Sequence, residues 1–135
     1  MQLFSTGAMQ WLPQALDATA LRQKLIADNV ANVDTPGYRR QDVRFEDIFA
    51  QALAQPAPLA GFRTDPRHFI IGPPPLSQVR PETAVDNQTV YSTNGNNVDM
   101  DREMTELAAN QTEYLTLLQD VNLQFAMLRY ALNGR

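Results

Sequence analysis

Prolines partition this chain more sharply than any other residue. Eight of the nine fall between Pro36 and Pro81, and the ninth, Pro13, suits the first turn of a helix. Proline removes a backbone donor and clashes with the preceding turn, so no long helix can cross the middle of the chain. The two proline-poor ends each carry a heptad. In residues 11–33, Leu12, Leu16, Thr19, Gln23, Ile26, Val30 and Val33 recur at alternating intervals of four and three. They predict a helix roughly 33 Å long at ~1.5 Å per residue. In residues 101–132 the same alternation runs through Met104, Leu107, Gln111, Tyr114, Leu118, Val121, Phe125, Leu128 and Leu132. That helix is roughly 48 Å long by the same rise. Asp99, Asp101, Glu103 and Glu106 crowd its start, where negative charge favours the helix dipole, and Asp99 or Asp101 can cap it. Gly134 follows as a stop.

Residues 34–98 show no sustained period. Short strands are predicted at residues 69–71 and 89–91, a short helix at 45–53, and a tight turn at Asn94-Gly95. The predicted architecture is therefore mainly α. Two long terminal heptad helices pair as a coiled coil and are joined by a proline-rich middle with short β-strands. The division is 1–35 for the N-terminal helix, 36–98 for the middle and 99–135 for the C-terminal helix.

Composition removes several classes of function. The 135 residues suit one domain, and the net charge of −4 lacks the basic surface that a general nucleic-acid binder needs. There is no cysteine and a single histidine, His68, so thiolate chemistry and multi-histidine metal sites are excluded. Asp99, Asp101 and Glu103 alternate as in a calcium loop but lack its glycine and its bidentate glutamate. Arg39, Arg40 and Arg44 are interleaved with Asp42, Glu46 and Asp47, which reads as a solvated, self-paired surface. The glycosylation patterns at Asn87 and Asn110 read as chance, since Asn110 lies mid-helix. No phosphate loop, nucleophile elbow or zinc-binding helix motif is present, so neither an enzyme nor a cofactor is expected. No stretch is apolar enough to span a membrane, and the first residues do not read as a cleaved secretory signal.

One motif carries more. Residues 29–38 read NVANVDTPGY. Pro36 forces Thr35 out of helical space, and Pro36-Gly37 fits the centre of a type II turn. Asn29 and Asn32 lie one turn apart on one helical face, and their amides can bond carbonyls freed where the helix ends. Together with Thr35 and Tyr38 they form a rigid helix-to-extended corner. This motif resembles the N-terminal signature of bacterial flagellar rod and hook proteins. NGNNVDMDREM at residues 94–104, with the helix that follows, and TDPRHF at residues 64–69 resemble the short proximal rod members of that family. The resemblance covers almost the whole chain.

It implies a structural subunit that assembles helically into a drive shaft around an export channel. The implied partners are copies of itself, other rod subunits such as FlgC and FliE, and the flagellar type III export apparatus. The residues agree with such a role. From Tyr114 to Leu132, thirteen of nineteen residues are apolar or aromatic, so the helix is apolar nearly all round and needs more partners than one helix of its own chain. The seam residues Leu12, Leu16, Ile26, Val30 and Val33, with their C-terminal counterparts, are the expected assembly surface. Gln23 and Gln111 are candidates for fixing register. The rival class is a soluble helical adaptor or export chaperone that binds an amphipathic partner helix.

Overall fold

The computed structural model describes residues 7–54, 79–87 and 93–133. In chain order these form α1 (Gly7–Ala31), β1 (Gln41–Arg44), α2 (Glu46–Ala54), β2 (Glu82–Val85) and α3 (Met100–Asn133). At ~1.5 Å per residue α1 is roughly 37 Å long and α3 roughly 51 Å. The strands predicted at 69–71 and 89–91, His68 and the Gly134 stop lie outside the described residues.

Each helix has a local cause. Asp99 caps α3: its carboxylate accepts from the backbone N–H of Asp101 at 3.0 Å and of Arg102 at 3.5 Å. The short helix expected at 45–53 is α2, and Glu46 and Asp47 occupy its first turn, where the dipole favours them. One local expectation fails. Because α1 begins at Gly7, Pro13 lies inside the helix rather than in its first turn. The helix continues past it without that one backbone hydrogen bond.

The strand pair was missed by sequence reasoning. β1 and β2 pair antiparallel, with Gln41 opposite Val85 and Arg44 opposite Glu82. Four-residue strands rich in charge carry almost no pattern of their own; their pairing supplies the stability. The Arg44–Glu82 pair sets opposite charges across the ladder, and Val43 points inward and is buried.

α1 and α3 run antiparallel. Asn29 meets Glu103 at one end of the pair, Thr19 meets Asn110 in the middle, and Leu12 meets Leu117 in the core beyond. The core joins Leu12, Ala15, Ala18 and Leu25 of α1 to Val43, Phe45, Val79 and Leu117. Trp11 and Phe45 both pack on Phe49 with ring centroids 5.6 Å apart, so α2 closes one side of the helix pair.

The contact face differs from the predicted coiled-coil seam. On α3 the buried residues are Glu103, Asn110 and Leu117, a heptad lane of its own beside the apolar seam. On α1, Leu12, Thr19 and Ile26 of the seam are buried, but so are Ala15, Ala18, Leu25 and Asn29 of the adjoining lane. Small alanines let the helices approach; Glu103 and Asn29 meet partners described below, and Asn110 bonds through its Nδ2 while its buried Oδ1 has no partner.

Candidate functional site

The corner after α1 is where the two ends of the sequence meet. The turn forms as expected: the Tyr38 N–H donates to the Thr35 carbonyl at 3.3 Å, and Gly37 has φ +72°. That φ is open to glycine and strained for other residues. Asn29, wholly buried, acts differently from expectation. Its Nδ2 donates to the Gln41 carbonyl at 2.9 Å and to Glu103 at 3.1 Å. Its Oδ1 accepts from the Gln41 N–H at 3.0 Å and the Tyr38 hydroxyl at 3.2 Å. Asn29 therefore pins the start of β1 and the first turn of α3 to the end of α1. Asn32 donates to the Asp28 carbonyl at 2.8 Å and accepts from the Thr35 hydroxyl at 3.2 Å, holding the turn itself.

The carbonyls freed at the end of α1 are taken by a residue that sequence reasoning did not single out. Asn96 Nδ2 lies 2.9 Å from each of the carbonyl oxygens of Asn32, Val33 and Thr35, and Asn96 is 1% exposed. A side chain more than sixty residues away thus does the work of a local C-cap. Its Oδ1 accepts from the Val98 N–H at 2.7 Å, which fixes the approach to α3. The Asn94-Gly95 turn predicted from sequence is present, and the Asn94 carbonyl accepts from the Gly37 N–H at 3.1 Å.

Beneath the corner lies a buried ionic cluster. Arg40, expected on a solvated surface, is buried. Its Nε donates to Glu103 at 2.6 Å, its Nη1 to Asp42 at 2.9 Å, and its Nη2 to Glu106. The reason is topological: the β1 ladder carries Arg40 beneath the first turn of α3, and only there can it meet Glu103, which is 0% exposed. Glu106 is shared with Arg102 at 2.8 Å. Burial disfavours the guanidinium charge, but hydrogen bonds to Asp42 and Glu103 and the charges of both outweigh it, so its pKa is raised. The Tyr38 hydroxyl is also raised above its ordinary range, first by burial and then by the negative charges of Asp28 and Glu103. The expected partners of the basic patch are met only in part. Asp42 pairs with Arg40, while Arg44 reaches Asp47 at 4.0 Å and Glu46 pairs with Arg22 of α1.

The predicted seam residues divide. Leu12 and Ile26 are buried; Leu16, Val30, Val33, Leu107, Leu118, Val121 and Leu128 are half-buried. Met104, Tyr114, Phe125 and Leu132 are exposed, Phe125 at 53% and Leu132 at 76%. Near the corner the two seams face one another across an open apolar groove of about 360 Å³. Ile26 and Val30 line it from α1, Met104 and Leu107 from α3, with Gln23 and Gln111 at its edge. Asn110 is buried and donates to the Thr19 carbonyl at 3.0 Å, so this copy of the glycosylation pattern is part of the helix interface.

This arrangement holds helices together at the corner. Among the described residues no group of acidic and histidine side chains is placed to hold a metal, and no helix is long and apolar enough to cross a membrane. Comparison with known proteins agrees in kind. The family described as flagella basal body rod protein matches residues 7–39, which are α1 and the corner. At full length the chain is 38% identical over 134 residues to the flagellar basal body rod protein FlgB of Bacillus subtilis, covering 99% of this chain and 98% of the relative. It is 34% identical to FlgB of Yersinia enterocolitica, covering 82% of each, and 33% identical to FlgB of Escherichia coli, covering 80% of each. The chain belongs to the FlgB family of flagellar basal body rod proteins and is a structural component of the rod.

Proposed function

We propose that this chain is a subunit of the proximal rod, packed helically with copies of itself and with other rod subunits, FlgC and FliE among them. The shaft so built transmits torque and surrounds an export channel. The subunit reaches the basal body, across the periplasmic space or cell wall, through the flagellar type III export apparatus. In this reading the zones 1–35 and 99–135 form the packed core of the shaft, and the corner at Pro36-Gly37 sets the angle at which the middle region, 36–98, leaves it.

One observation carries the reading. α3 has two lanes: Glu103, Asn110 and Leu117 are used up inside the chain, while Tyr114, Phe125 and Leu132 are left uncovered. Apolar surface of this extent marks an interaction face. The experiment is basal-body purification from cells lacking their own copy, complemented with Phe125→Asp or with Gln119→Glu. Phe125→Asp buries an unpaired charge only if the helix packs against neighbours, so it should abolish rod assembly. Gln119→Glu adds the same charge on an exposed position beside Asp120 and should assemble normally. Equal behaviour of the two would remove the physical basis of the reading.

A further inference from the structure

The groove between the helices and the uncovered end of α3 lie at opposite ends of the hairpin. Leu107, in the groove, and Leu128, in the distal part, are separated by roughly 32 Å of straight helix at ~1.5 Å per residue, so one cannot cover the other within a chain. The groove is concave and has no charged side chain in its lining. At ~100° per residue, Phe125 and Leu132 share one face of the distal part of α3 and form a convex ridge, both more than half exposed, while Leu123, Met127 and Tyr130 lie on the opposite face. From Val121 to Asn133 that ridge holds no carboxylate, and its only charge is Arg129.

We propose that the distal ridge of α3 in one copy seats in the α1–α3 groove of the next. The proposal rests on the rod reading and names the surfaces that would carry it. Pairing like with like fails geometrically: groove against groove leaves two hollows facing each other, and ridge against ridge leaves both grooves empty. A groove-to-ridge contact is heterologous, leaves one free groove and one free ridge after every addition, and so propagates into a ring or a helix. Charge agrees. Arg129 has no ion pair among the described residues, and neither do Lys24 and Asp28, next in sequence to the lining residues Gln23 and Ala27, nor Asp101, one turn before Met104. Those three sum to one negative charge, opposite in sign to Arg129.

The absence of cysteine makes the contact directly testable. Two full-length chains with different tags, one carrying Ala27→Cys at the groove and the other Asn122→Cys beside the ridge, one turn before Phe125, are co-expressed in cells lacking the native copy. Purified basal bodies are then treated with a short bis-maleimide. The expected product is the mixed-tag dimer, with little dimer from either variant alone, and its yield should fall several-fold when Arg129→Asp is added to the ridge chain. Same-variant dimers, capture of Asn122→Cys by a different basal-body protein, or no product from chains that did enter the rod would each overturn the proposal while leaving the rod reading intact. Failure of the unmutated tagged chains to enter basal bodies would overturn both.

Discussion

The buried ionic cluster makes an asymmetric prediction about stability. Arg40 contacts three carboxylates, whereas among the described residues Glu103 pairs with the single cation Arg40 and accepts from the Asn29 amide. Arg40→Met therefore strands a fully buried carboxylate beside a neutral amide. Removing one partner of such a pair costs about 3–5 kcal/mol. Glu103→Gln keeps the shape and can still accept from Asn29, while Arg40 retains Asp42 and Glu106. The introduced amide NH2 then faces the Arg40 Nε–H, so that change should cost about 1.5–3 kcal/mol, the scale of one charge-assisted hydrogen bond. The double variant Arg40→Met with Glu103→Leu removes the buried pair and leaves Asp42 and Glu106, both partly exposed, with Arg102 still on Glu106. It should recover most of the loss, because well-packed apolar replacements of a buried pair are commonly close to neutral. Urea unfolding of the purified chain, followed by far-UV circular dichroism, measures all four proteins on one scale. If Arg40→Met cost no more than Glu103→Gln, or if the double variant were as unstable as the sum of its parts, the cluster would not be the electrostatic clamp described here.

Two further outcomes follow from the corner. Asn96→Ala takes the donor from the Val33 carbonyl, while those of Asn32 and Thr35 keep the Thr35 and Tyr38 N–H groups, and should destabilise by about 1–3 kcal/mol in the same unfolding assay. Asn96→Asp, which turns the donor into an acceptor facing three oxygens, should be worse. For Tyr38, the raised pKa means that the unfolded chain releases its phenolic proton first as pH climbs through about 10. Stability contributed by the protonated hydroxyl is thus present below that value and lost above it, and unfolding measured at rising alkaline pH should fall less steeply in Tyr38→Phe than in the natural chain.

Some of this molecule was legible from local chemistry alone. Both terminal helices, the short helix after the corner, the Asp99 cap and the Thr35–Tyr38 turn come from interactions within a few residues, and dipole, capping and φ preferences act at that range. Heptad spacing also announced that each helix has an apolar stripe. It could not announce which lane meets the partner helix. Stripes one position apart on a helix are both compatible with packing, and hydrophobic pattern favours the more apolar of the two. Here the less apolar lane on α3 is inside, because Glu103 finds Arg40 and Asn29, and Asn110 finds the Thr19 carbonyl. A buried polar residue is tolerated or rejected according to partners from distant parts of the chain, and no local window contains them. The same limit hid Asn96, Arg40 and the β1–β2 pair. The sequence by itself determined two amphipathic helices, a fixed corner and the family. Only the tertiary structure decided that on α3 the polar lane closes the hairpin while the apolar seam is left half-buried or exposed, since long-range pairing energy rather than local propensity chooses between faces.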